Sequence, residues 1–184
     1  MNVLKLLIII LCLSLALTTH AQKANQPVKA DPENWTVHNR TVVFEDGVVH
    51  LNAQPEDGIL WLNNSDFKNG TIEFDIRGKN APGQSFVGLA FHALDDKTFD
   101  AVYFRPFNFL HPTRNGNSVQ YISMPDNDWS TLRNAFPGKY EHKINPIPNP
   151  VDQWFHAKVV VDYPEVKIFI NGSDNPTLEI QQIS

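Results

Sequence analysis

Residues 70–77 read Gly70-Thr71-Ile72-Glu73-Phe74-Asp75-Ile76-Arg77. Ile72, Phe74 and Ile76 alternate with Glu73, Asp75 and Arg77, the period of two that marks a strand with one buried face. The pattern recurs outward along the chain. Val102-Tyr103-Phe104-Arg105 sets Tyr103 and Arg105 opposite Val102 and Phe104. Ser85–His92 sets Phe86, Gly88, Ala90 and His92 opposite Val87, Leu89 and Phe91. Gln120 stands between Val119 and Tyr121, and His156 between Phe155 and Ala157. Strands are expected near 41–44, 48–53, 58–62, 70–77, 85–92, 100–105, 118–123, 154–162, 166–171 and 177–181. Glu45-Asp46-Gly47 and Asn171-Gly172 carry hairpin turn chemistry. Nine or ten short strands with almost no helical period predict an all-β protein, an antiparallel β-sandwich.

The composition agrees. The 184 residues suit one domain, and thirteen prolines and nine glycines favour turns over long helices. Fifteen basic against twenty acidic residues give a net charge of −5, which argues against a sequence-independent grip on nucleic acid. Residues 1–21 have the form of a secretory signal: Lys5, an apolar run from Leu6 to Leu17, then Thr19-His20-Ala21 before a cleavage point at Gln22. That run is too short for a comfortable membrane span. A secreted or periplasmic protein is therefore expected, with a polar linker over 22–33 and the sandwich over 34–184. The one cysteine, Cys12, lies inside the signal, so the folded part must hold without disulfides.

Met124–Gln153 breaks the strand rhythm with five prolines and one stretch, Asp128–Asn134, able to form a helical turn capped by Asp128. So long a connection usually binds or covers something. Trp129, Phe136 and Tyr140 within it support that, and Trp129 is a candidate platform for a sugar ring.

Several strands thus pair a clean apolar face with one of carboxylate, guanidinium, imidazole, amide and phenol. One reading is a solvated sheet face laced with cross-strand ion pairs. The other is a groove floored by the small residues Gly88 and Ala90 and lined by Glu73, Asp75, Tyr103, Arg105 and Gln120. Phosphate-binding, nucleophile-elbow and zinc-protease motifs are absent from the sequence. Asp95-Asp96 and Asp126-Asn127-Asp128 have the chemistry of a calcium loop, but plain turn and capping acids are the favoured reading. No metal or other cofactor is expected.

The runs Phe67–Gly78, Gly83–His92 and Ala101–Phe109 resemble secreted concanavalin A-like jelly rolls. So do Val119–Ser123, Asp128-Trp129, Leu132-Arg133, Pro137–Glu141, Trp154–Ala157 and the Val166–Gly172 hairpin. More narrowly they are similar to laminin G-like and 3-keto-disaccharide hydrolase-type domains, over roughly residues 40–181. Glu73-x-Asp75 also resembles the start of the Glu-x-Asp-x-x-Glu motif of glycoside hydrolase family 16. Gly78 occupies the last position, however, and a retaining mechanism needs two carboxyls about 5–5.5 Å apart. Domains of the resembled type usually end in a further strand pair, so an open sheet edge after residues 177–181, from a truncated chain, is expected.

The resemblance implies a glycan groove on the concave face of one sheet. Glycan binding is the first expectation. The alternative is a hydrolase or lyase acting on 3-keto-glycosides, in which a base removes the C2 proton made acidic by the C3 ketone. The C1 substituent then leaves, and water adds back. Glu73, Asp75 and His92 are the candidate catalytic residues. Arg77, Tyr103, Arg105, Asn108, Gln120 and Trp129 are the candidate substrate-binding residues.

Overall fold

The computed structural model describes residues 27–183. The expected signal segment and residues 22–26 of the expected linker lie outside them. Twelve strands occur among the described residues: β1 (Trp35–His38), β2 (Val42–Glu45), β3 (Val48–Leu51), β4 (Ile59–Leu62), β5 (Gly70–Ile76), β6 (Val87–Phe91), β7 (Phe99–Phe104), β8 (Val119–Met124), β9 (Glu141–His142), β10 (Phe155–Asp162), β11 (Glu165–Ile170) and β12 (Leu178–Gln181). Two four-stranded antiparallel sheets, ordered β12-β11-β10-β5 and β6-β7-β8-β9, form a sandwich. The pairs β1-β4 and β2-β3 stand as separate two-stranded sheets.

Alternation builds the core. Phe155, Ala157, Val159 and Val161 of β10 and Val166, Ile168 and Ile170 of β11 meet Val102 and Phe104 of β7 and Val119 and Tyr121 of β8. Phe104 packs edge-on against Phe155 with ring centroids 5.1 Å apart. Each valine, isoleucine or phenylalanine among them contributes about 1.5–3 kcal/mol on burial. The residues between them, Glu73 and Asp75 on one sheet and Tyr103 and Gln120 on the other, therefore point to opposite outsides of the sandwich.

The hairpin turns form where turn chemistry places them. Asp46 and Gly47 have φ of 51° and 75°, and Asn171 and Gly172 of 49° and 72°, the left-handed pair a two-residue turn requires. Strands β1 and β9 escape sequence reading; β9 has two residues, too few to display a period. The β1-β4 pair is tied to the main body by Trp61, whose Nε1 donates to Asp96 at 2.7 Å and whose ring meets Phe99 edge-on. At the other end, β12 is an edge strand, as expected. Its apolar residues Leu178 and Ile180 are nonetheless buried.

The 124–153 connection contains one helix, α1 (Trp129–Ala135), and is anchored by the buried residues Leu132, Tyr140 and Ile144. Asp128 caps α1, its Oδ1 accepting from the Thr131 amide at 2.7 Å. That bond holds the Asp128 carboxyl below its ordinary value. Its stabilisation is present above the unfolded carboxyl value and is lost as pH falls through the lowered folded one. Asp128→Ala should destabilise the protein by about 1 kcal/mol at neutral pH. The deficit should shrink in acid, and urea denaturation at two pH values checks both statements.

Candidate functional site

Four outward-facing residues form one cross-strand row on the β6-β7-β8-β9 sheet: Gly88 opposite Tyr103, Tyr103 opposite Gln120, and Gln120 opposite Glu141. Arg105, one step beyond the end of β7, shares that face. The chain then turns at Pro106–Asn108, a short 3-10 turn that brings Phe107 and Asn108 to the same end. The result is a cavity of about 280 Å³, lined by Gly83, Phe86, Arg105, Phe107, Asn108, Arg114, Asn117, Trp129 and Arg133. Its size lies near the lower end of small-ligand sites, roughly 300–1,000 Å³.

Arg105 organises the floor. Its two terminal nitrogens donate to the Asn117 carbonyl at 2.8 Å, to Tyr103 Oη at 2.8 Å and to Gln120 Oε1 at 3.3 and 3.5 Å. The guanidinium lies 4.8 Å from the centre of the Tyr103 ring. Burial pulls Arg105 below its ordinary pKa and pushes the Tyr103 phenol up to about 12, so Tyr103 stays protonated and able to donate. Gln120, fully buried, spends its amide on the Tyr121 and Tyr140 carbonyls.

One wall is α1. Trp129 and Arg133 are four residues apart and so share a helix face, with the guanidinium 4.8 Å from the indole centre. Arg133 grips Glu141 through two bonds of 2.8 and 2.5 Å, and that contact raises its pKa. Asn117 donates to the same carboxylate at 3.0 Å. Trp129 remains 46% exposed and lines the cavity, as a platform must. The opposite wall is aromatic, Phe86 meeting Phe107 edge-on at 5.5 Å.

Tyr103, Arg105, Asn108, Gln120 and Trp129 are thus brought together as expected. Glu73, Asp75, Arg77 and His92 are not, and the single groove expected to hold Glu73 with Arg105 does not exist. Glu73 and Asp75 lie on the outer face of the other sheet, where β5 pairs with β10. There the His156 ring bridges them, Nε2 3.1 Å from Glu73 and Nδ1 3.0 Å from Asp75, all well exposed. Arg77 stacks under Trp154 at 5.0 Å. This is the solvated sheet face, with His156 in place of the arginine partners expected.

His92 sits at the end of the sandwich with φ of 51°. Its Nε2 lies 2.7 Å from the Lys68 carbonyl and therefore carries the hydrogen, leaving Nδ1 to accept from Gln182 Nε2 at 3.0 Å. Gln182 also donates to buried Asp100, which accepts from Tyr121 Oη. A second concavity, about 320 Å³, lies beside His92 between Asp66, Phe67, Lys68 and Tyr163. The His92 ring thus joins two segments, Nε2 holding the Lys68 carbonyl and Nδ1 the Gln182 side chain after β12.

Among the acids considered for calcium, Asp95 Oδ1 accepts from the Lys97 and Thr98 amides, Asp96 meets the Trp61 and His38 rings, and Asp128 caps α1. Sequence reading missed Phe107, Arg114, Asn117, Arg133 and Glu141. Only Arg133, four residues after Trp129 in an expected helical turn, carried a readable signal.

Among the described residues no helix is long and apolar enough to cross a membrane. Neither the curated proteins nor the solved structures give a match to the chain. The model of the 3-keto-alpha-glucoside-1,2-lyase-like domain matches residues 25–182, a span that includes both sheets and every residue lining the cavity. The chain therefore belongs to the 3-keto-alpha-glucoside-1,2-lyase-like family.

Proposed function

We propose that the protein is an exported carbohydrate-binding sandwich, of the concanavalin A-like jelly-roll type, that holds a sugar in the cavity between Arg105 and Trp129. The observation that carries this reading is the pairing of aromatic surfaces with directional polar groups in one small cavity. Trp129 and Phe86 offer faces for the C–H side of a pyranose, while Arg105, Asn108 and Asn117 supply donors and acceptors for its hydroxyls. Membership of a carbohydrate family supports it. Binding is placed ahead of turnover because the described residues lining the cavity include no carboxylate or imidazole. The nearby Glu141 is already held by Arg133 and Asn117.

A second reading follows from the family itself. In a 1,2-elimination a base takes the C2 proton, the electron pair passes into an enolate at the C3 oxygen, and the C1–O bond breaks as the leaving oxygen gains a proton. Water then adds across the double bond. Arg105 and Tyr103 are placed to donate to the enolate oxygen. The base would have to be Glu141 released from Arg133, since Glu73, Asp75 and His92 lie elsewhere.

Trp129→Ala should weaken binding of a gluco-configured disaccharide by roughly tenfold, from the loss of a stacking surface worth about 0.5–1.5 kcal/mol together with its buried area. Glu73→Gln should leave it unchanged. Calorimetric titration of both variants tests the placement. Incubation with a 3-keto-glycoside decides between the readings: steady release of the aglycone would make the elimination the function.

A further inference from the structure

Resting on the sugar reading, we infer that the sugar this cavity holds carries an anionic substituent, a carboxylate or a sulfate ester on the ring. Arg105 is only 5% exposed, yet all its hydrogen bonds go to neutral acceptors. No carboxylate among the described residues lies within ion-pairing distance of it. Buried charges in folded proteins are ordinarily paired, because an unpaired one loses its hydration without compensation. Arg114 lines the same cavity and likewise has no ion-pair partner among the described residues. Of the three guanidiniums around the cavity, Arg133 alone is matched, by Glu141. The excess is local, for the chain as a whole carries a net charge of −5. The missing counter-charge is supplied by the ligand.

A second observation says that the ligand is more than an anion. Asn108 lines the cavity at 4% exposure, and its Oδ1 has no hydrogen-bond partner. A buried acceptor left open calls for a donor, which a sugar hydroxyl provides and a bare sulfate or carboxylate does not. Trp129, Phe86 and Phe107 around the same space suit the apolar face of a ring. Anionic oxygens for Arg105 and Arg114, a hydroxyl for Asn108 and a flat C–H surface for the aromatics together describe an acidic pyranose. The cavity, about 280 Å³, holds one such ring with its substituent.

Calorimetric titration of the protein with methyl glucoside, methyl glucuronoside, glucose 6-sulfate and inorganic sulfate tests this. At low salt at least one acidic sugar should bind about tenfold or more tighter than the neutral glucoside, through charge-assisted bonds to guanidinium. Whichever of the two wins identifies the substituent. The preference should fall several-fold at roughly 0.5 M salt, because screening reaches the open side of the cavity. Arg114→Ala should shrink the preference about fivefold, and Arg114→Lys should restore part of it. Arg114 is exposed, so neither change threatens the fold. Equal affinity for neutral and acidic sugars would overturn the inference and leave the sugar reading standing. Inorganic sulfate binding as tightly as the sugar sulfate would also overturn it. If no sugar binds at all, the sugar reading fails and the inference with it.

Discussion

Gly88→Ala should lower the stability of the protein by about 3 kcal/mol, a large share of the 5–15 kcal/mol typical of a folded domain. Gly88 has no unusual backbone angle; the constraint is the close approach of its neighbour. A methyl group there would overlap the Val102 carbonyl oxygen and lie 2.6 Å from Tyr103 Cα and 2.7 Å from Tyr103 Cβ. All three obstacles are main chain or fixed to it, so no side-chain rotation relieves them. β6 would have to move away from β7, loosening the ladder that pairs Gly88 with Tyr103 and tilting the tyrosine that supports Arg105. Urea denaturation should show a lower midpoint with an unchanged slope, and ligand affinity should fall as well. Gly116→Ala is the control. A methyl group at Gly116 meets nothing within 4 Å, so its effect should stay within about 0.5 kcal/mol. Equal midpoints for the two variants would mean that β6 and β7 are not so closely apposed.

Arg105→Met should reduce sugar binding on the order of a hundredfold, about 3 kcal/mol, the value of losing charge-assisted bonds in a buried site. Methionine matches the length of the side chain and keeps its packing against the Tyr103 ring. It removes the donors that Gln120 Oε1 and Tyr103 Oη now face and leaves the Asn117 carbonyl with Asn108 Nδ2 alone. Leaving buried acceptors open should destabilise the fold by a further 1–3 kcal/mol or so. Arg105→Lys should retain the charge but not the planar fork that serves three acceptors, and so recover only part of the affinity. Measured by titration alongside denaturation, the two variants separate charge from geometry. Full binding by Arg105→Met would remove Arg105 from the site.

How far the sequence could be read follows from what each element needs. Ile72–Ile76, Val102–Phe104 and Phe155–Val161 reveal their buried faces because a strand between core and solvent must alternate. The Asp46-Gly47 and Asn171-Gly172 turns were legible because few residues tolerate their backbone angles. The Tyr103–Arg105 face was legible for the same reason as the strands. Period alone, however, does not say which outer face belongs to which sheet. Glu73 and Arg105 both alternate away from the core, and only the topology, β5 beside β10 and β7 beside β8, sends them to opposite sides. Arg114, Asn117 and Glu141 were hidden differently. They come from a turn region and a two-residue strand, where no period in the sequence marks a face. His92 shows the converse: a side chain that looks chemically available is used to secure the segment after β12 through Gln182.

A crystal structure of the protein with a gluco-configured sugar bound would place the ligand directly. The ring is expected against Trp129, with its polar substituents on Arg105 and Asn108 and its outer edge toward Arg114. Density for the sugar on the Glu73–His156–Asp75 face or in the concavity beside His92, with the Arg105 cavity empty, would contradict that placement.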